Sequence, residues 1–230
     1  MPGDTLPLPQ FRPVAERAVL VEFADQISEA AHQAVLSLDA QLAAAPFEGF
    51  VESVPAYVNL LVEFDCRVTD HAQVIAALKR QIGKGAMGQR PGQIRVVDVC
   101  YDTELGPDLA EVAHRAALSQ DAVIAAHLAG DYRVFMYGFA PGYAYLGGLP
   151  DRLSLDRKPK PVRSVAKGSV IIAGRQCLVT TLVMPTGWWI IGRSPTQILT
   201  DDPVKPFLFD VGDQVRFRRI SRAEYDRLAK

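Results

Sequence analysis

The sequence predicts an α+β chain in two parts: a strand–helix domain over residues 1–92, then a strand-rich domain over 93–230. Three observations predict it. Apolar residues alternate at period two in 18–23, and 94–99 reads as a further short strand. Helical spacing follows capping residues at Ser28 and Asp70. A glycine-rich break spans 83–92, and after Asp131 the ordered segments read as strands.

In the first part, residues 18–23 set Val19, Val21 and Phe23 against Leu20 and Glu22, as a strand does. Ser28 caps a helix to about residue 44, with Ala31, Val35, Leu38 and Leu42 on one face. Residues 50–54 and 57–64 read as strands joined across Pro55-Ala56. Asp70 caps a helix to about residue 82 that buries Val74, Ile75, Leu78 and Ile82. A strand at 94–99 completes a βαββαβ order, the ferredoxin-like pattern, and either closes this unit or opens the next.

In the second part a helix starts after Gly106-Pro107, with proline in its first turn, and another runs from a Ser119 cap to about residue 128. Strands follow at 132–137, 169–173, 178–184, 188–191 and 214–220. Their regular spacing points to a closed or nearly closed β barrel. Residues 151–163, polar and proline-rich, read as a surface loop, and the tail from Ser221 as a short amphipathic helix.

Charge and composition exclude several classes. With 25 basic and 26 acidic side chains the net charge is -1, so no nucleic-acid footprint is expected. No apolar run approaches the ~20 residues of a membrane span. Met1-Pro2-Gly3-Asp4 does not read as a signal peptide, so a cytoplasmic protein is expected. Cys66, Cys100 and Cys177 form neither a disulfide framework nor a metal pattern, and buried thiols are expected.

The run 138–150 is the most informative segment: four glycines, two prolines and three aromatics in thirteen positions. It reads as neither helix nor strand. It is either an aromatic-walled binding loop or a tight turn stapled into the core. The match to G-x-G-x-x-G at Gly83-Lys84-Gly85-Ala86-Met87-Gly88 follows a helix and precedes Arg90-Pro91, so it reads as a linker. His32, His71 and His114 are expected on helix surfaces. His127, near a helix end, either caps that end as an imidazolium or serves the neighbouring loop. Lys158, Lys160, Arg163 and Lys167 make a basic cluster that either holds an anionic ligand or is a solvated surface balanced by the solvated acids Asp201, Asp202, Asp210 and Asp213. Arg193, in a turn beside Ser194 and Thr196, makes a candidate anion cradle. Trp188 and Trp189 are adjacent and should face opposite sides, one inward and one exposed.

These residues resemble the first subunit of the allophanate-hydrolase-like pair, the KipI or PxpB family, a module also found in the carboxyltransferase domain of urea carboxylase. The resemblance rests on Val19-Leu20-Val21-Glu22-Phe23, the stretch 54–62, the run 138–149, Ile191-Gly192-Arg193-Ser194-Pro195 and Gly212-Asp213-Gln214-Val215. It implies a ferredoxin-like first domain and a cyclophilin-like barrel. It implies a cognate second subunit of KipA, PxpC or allophanate hydrolase subunit 2 type, and a LamB/YcsF-type third subunit. Together these would open 5-oxoproline to glutamate with ATP, shared with the partner. The lactam oxygen is phosphorylated first in this scheme, which calls for cations and oxyanion donors. The implied catalytic candidates are Arg193, Ser194, Arg163 and His127, with amides of the glycine loop. Phe139, Pro141, Gly142, Tyr143, Tyr145, Gly147, Gln176, Trp188 and Thr196 would surround substrate or nucleotide. No metal site is implied.

Three stretches depart from the family pattern: Val165-Ala166-Lys167-Gly168, the run 176–181, and Met184-Pro185-Thr186-Gly187-Trp188. All are expected at the cleft, so the substrate is open. Two alternatives stand beside the lactam reading: half of a carboxyltransferase using biotin, and a KipI-type inhibitor of a histidine kinase.

Overall fold

The computed structural model describes residues 9–83 and 92–229. Its contacts divide the chain into two compact units, Met1–Pro91 and Gly92–Lys230. The glycine run from Lys84 onward, read as a linker, lies outside the described residues. Among the described residues no helix is long and apolar enough to cross a membrane.

The first unit is an antiparallel sheet under two helices. β1 (Gln10–Val14) and β2 (Ala18–Glu22) form a hairpin, and α1 (Glu29–Ala44) follows. β3 (Phe50–Ala56), β4 (Asn59–Phe64) and α2 (His71–Gly83) complete the unit, with sheet order β1-β2-β4-β3. Ser28 caps α1 through its hydroxyl, which accepts from the amide of Ala31 at 3.2 Å. Asp70 does the same for α2, accepting from Gln73 N at 2.9 Å. Val19, Val21, Leu60 and Val62 on one sheet face meet Val35, Leu38, Leu42 and Leu78 from the helices.

This differs from the expected βαββαβ order. The strand after α2 pairs with β13 and not with β2, and the place beside β2 is taken by β1. The sequence hid β1 because it is an exposed edge strand carrying Pro13, with no alternation to read. The β3–β4 turn falls at Tyr57, which adopts φ 52, not at Pro55-Ala56, which stay in the ladder. Ile75 and Ile82 are only half-buried, and Ala77 and Gln81 face inward with Val74 and Leu78. His32, expected on the surface, is fully buried, with Nδ1 2.9 Å from the carbonyl oxygen of Tyr57.

The second unit begins with β5 (Ile94–Val99), α3 (Leu109–Arg115), α4 (Gln120–Leu128), β6 (Tyr132–Tyr137) and β7 (Ala144–Gly147). β8 (Val162–Val165), β9 (Ser169–Ala173), β10 (Gln176–Val179), β11 (Met184–Thr186), β12 (Trp189–Arg193), β13 (Gln214–Arg219) and α5 (Arg222–Leu228) follow. The ladder runs β5-β13-β6-β7-β10-β9-β12, antiparallel except where β13 meets β5 in parallel. No sheet closes. Its two edges meet at a single bridge, where Cys100 and Arg193 exchange both backbone hydrogen bonds at 2.9 Å. β8 and β11 form a separate two-stranded ribbon.

Other boundaries shift for local reasons. Pro107 precedes the Asp108 N-cap of α3 instead of lying in its first turn. The strand expected over 178–184 ends at Val179. The glycine-rich run contains a strand after all, since β7 pairs with both β6 and β10. The expected surface loop 151–163 contains a 3-10 turn that buries Leu153, and runs into β8.

Candidate functional site

β7, β10, β9 and β12 are apolar on both faces, so the sheet lies between two layers. Leu146, Cys177, Val179, Val170, Ile172 and Ile191 point into the main core. Tyr145, Leu178, Ile171 and Ile190 point the other way, as period-two alternation requires. This second face is covered in part by Val165 of β8 and Met184 of β11. The uncovered part is a cleft of ≈ 160 Å³. Its walls include Phe139, Tyr143, Tyr145 and Trp188, with Arg157 and Thr186 supplying polar groups.

The glycine-rich loop builds one wall. Gly142 has φ 71, and Tyr143 N donates to Ala140 O at 3.1 Å. Gly138 N donates to Tyr143 O and Ala140 N to Gly138 O, so these amides are engaged within the loop and do not form the expected oxyanion cradle. Thr181 Oγ1 donates to Pro141 O at 2.7 Å and fixes the apex. Phe139 is the exposed aromatic, at 74% exposure and φ 71. Tyr143 and Tyr145 sit two residues apart and turn to the same face. Burial, with Tyr145 beside it, pushes the Tyr143 phenol up to about 12, so it remains a proton donor at neutral pH.

The tryptophan pair builds the opposite wall. The two rings face opposite sides as expected, but neither is exposed: Trp188 belongs to the outer layer and Trp189 to the main core. Trp189 Nε1–H donates to Asp156 O at 2.8 Å. Arg157 lies over the Trp188 ring at 5.9 Å and Lys158 over the Trp189 ring at 5.5 Å, so two successive cations cover two successive indoles. Lys158 is not the solvated cation expected. Its ammonium, largely buried, pairs with Asp108, whose carboxylate also accepts from Ile190 N at 2.6 Å.

The structure separates the remaining candidates from this cleft. Arg193 ends β12, five residues from Trp188, or about 16 Å along an extended strand. Its Nε is buried with no hydrogen-bond partner among the described residues. Ser194 Oγ accepts from Thr196 N at 3.1 Å, and Thr196 Oγ1 accepts from Asp98 N at 3.2 Å, so both oxygens serve the backbone. Arg163 is exposed on β8. Gln176 opens β10 opposite Gly147, whose bareness accommodates the Phe135 ring.

His127 is neither a capping imidazolium nor accessible to a reactant. It is fully buried, with Nδ1 2.7 Å from the Tyr101 hydroxyl and Nε2 3.4 Å from Cys177 Sγ. Burial lowers its pKa from 6.5 to about 3 and keeps it neutral. Asp213, expected among the solvated acids, is buried too, and accepts from Arg95 Nε at 2.9 Å.

Sequence reasoning passed over Arg157, whose polar, proline-rich context looked like plain surface. The available signal was the pairing of Arg157-Lys158 with Trp188-Trp189, legible only once the two segments are known to meet. Two of the three departing stretches reach the cleft, at Leu178, Pro185, Thr186, Gly187 and Trp188, whereas 165–168, expected there too, does not line it.

Comparison with known proteins fits this architecture. Residues 9–209 match the family model described as carboxyltransferase domain, subdomain C and D. The chain is 36% identical over 227 residues to a 5-oxoprolinase subunit of Bacillus subtilis (strain 168), covering 94% of this chain and 95% of that one. The crystal structure of TTHA0988 superposes with a TM-score of 0.78 at 35% identity, over 89% of this chain but only 40% of that longer chain. Kluyveromyces lactis urea carboxylase shares the fold, with a TM-score of 0.73 at 17% identity over 95% of this chain and 22% of that one. The chain therefore belongs to the carboxyltransferase domain subdomain C and D family, the family that includes this 5-oxoprolinase subunit.

Proposed function

We propose that this chain is one subunit of a 5-oxoprolinase-type complex that opens the lactam of 5-oxoproline to glutamate with ATP as co-substrate. The end-to-end match to the Bacillus subtilis protein carries this reading. That relative is named as one subunit of its enzyme, which implies partner subunits, and here they would be a PxpC-like second subunit and a LamB-type third. The carboxyltransferase alternative rests on likeness to urea carboxylase at 17% identity, a likeness of fold alone.

In this reading the chain contributes orientation and exclusion of water. The aromatic cleft holds a compact ring against the Tyr145–Trp188 wall, and phenol hydroxyls act as donors to an oxygen gaining charge. The cleft, at ≈ 160 Å³, is smaller than the ~300 Å³ or more of pockets for larger ligands, and the loop amides are engaged. This cleft thus does not fit a whole nucleotide, and in this reading ATP lies outside it, shared with the partner. Arg193, with its unpartnered Nε, would meet an anion brought there.

The test is co-expression with the cognate second and third subunits, followed by assay of 5-oxoproline-dependent ADP and glutamate release. Release of both in equal amounts is expected. A stable complex that turns over a different amide, or needs biotin, overturns the lactam reading. In the active complex, Arg193→Ala is expected to abolish turnover while assembly, followed by size-exclusion chromatography, persists.

A further inference from the structure

The cleft holds more polar chemistry than its aromatic walls need. Arg157 is exposed on one side, lies over Trp188, and has no acidic partner among the described residues. The hydroxyls of Tyr143 and Tyr145 take part in no hydrogen bond among the described residues. Thr186 Oγ1 accepts from Trp188 N at 3.1 Å, which leaves its proton free to donate. Each polar side chain lining the cleft can therefore donate, and the one charged group among them, Arg157, is a cation. A cation is repelled by Arg157, and a neutral apolar ligand leaves the guanidinium and the phenols unpaired at a cost. A carboxylate satisfies them, since it presents about four acceptor sites and matches a guanidinium fork.

We propose that this cleft is a binding site for a small carboxylate with a compact, flat body. The carboxylate meets Arg157 and a phenol hydroxyl, and the body packs against the wall that Tyr145 and Trp188 form, their rings in edge-to-face contact at 6.0 Å. Arg157 then sets specificity for charge, and the small volume of the cleft sets specificity for size. The choice of 5-oxoproline as first ligand rests on the proposed function, but the carboxylate chemistry does not.

The test uses the full chain, followed by tryptophan fluorescence and calorimetry. It is titrated with 5-oxoproline, with its uncharged carboxamide and with cyclopentanecarboxylate. At least one carboxylate is expected to bind saturably and to change the Trp188 emission. The carboxamide is expected to bind about 10-fold or more weakly, the loss of one charge-assisted hydrogen bond. Arg157→Gln is expected to weaken the carboxylate by a similar factor and to erase that discrimination. Tyr145→Phe, which keeps the ring, is expected to weaken binding by a smaller factor.

Unchanged affinity in Arg157→Gln, equal binding of the carboxamide, or no binding by either carboxylate overturns the proposal. The two readings fail separately. Binding of cyclopentanecarboxylate but not 5-oxoproline, dependent on Arg157, keeps the carboxylate cleft and removes the lactam. Turnover of 5-oxoproline by a complex carrying Arg157→Gln, with unchanged KM, keeps the lactam and removes the cleft.

Discussion

Gly142 shows how one backbone angle shapes the loop. Its φ of 71 is open to glycine, and a Cβ there would lie 2.7 Å from Leu199 Cδ2 and 3.2 Å from Thr181 Cγ2. Gly142→Val therefore meets both strain and crowding, and a loss on the order of 2 kcal/mol is expected in urea unfolding. An unchanged midpoint would show that the loop tolerates another conformation. His127 has a different signature. Its pKa is near 3 in the folded chain against an ordinary value of 6.5, so below 6.5 the unfolded chain takes up the proton and the folded one does not. This contribution to stability is full above pH 6.5 and declines as the pH falls toward 3. Between pH 6.5 and 5 the decline is about 2 kcal/mol at most. A His127→Gln variant, though less stable throughout, is expected to lose less over that window in a series of melts.

At the scale of elements, the tryptophan turn is held from outside its own strand. Lys158 donates its amide to Gly187 O at 2.7 Å, and its ammonium pairs with Asp108. Lys158→Met removes the cation and leaves a half-buried carboxylate beside Trp189. A loss of about 3 kcal/mol is expected, with a red shift in tryptophan emission as the turn loosens. Elements with strong periodicity were legible in the sequence. α1 and α4 begin where Ser28 and Ser119 foretold, and β2, β5, β6 and β9 fall where alternation or apolar runs placed them. β1, β8 and β11 were not, because short exposed strands draw their order from a partner and not from their own pattern. The site was half legible. The aromatics of the glycine run and Trp188 do meet, but Arg157 enters only through tertiary contact, and Arg193 lies at the far end of β12.

At the scale of the molecule, the second unit is tied together end to end. Asp213 beside β13 accepts from Arg95 of β5 and from the amides of Gln93 and Asp210. The first strand of this unit is thereby fastened to its last across 118 residues of sequence. Residues 92–230, expressed alone, are expected to unfold cooperatively in urea, since their core is self-contained. A version beginning at residue 100 lacks β5 and is expected to lose that cooperative transition. Comparable curves from the two would show that β5 is dispensable.

The three thiols differ in a way that makes the chain its own reporter. Cys66 is exposed, whereas Cys100 holds the bridge to Arg193 and Cys177 lies in the core against His127. Burial also pushes the Cys177 thiol well above its ordinary range, away from the reactive thiolate. A thiol reagent should modify Cys66 at once and the other two only when the second unit opens. The slow phase of that labelling, read by mass, clocks breathing of the fold without any engineered cysteine.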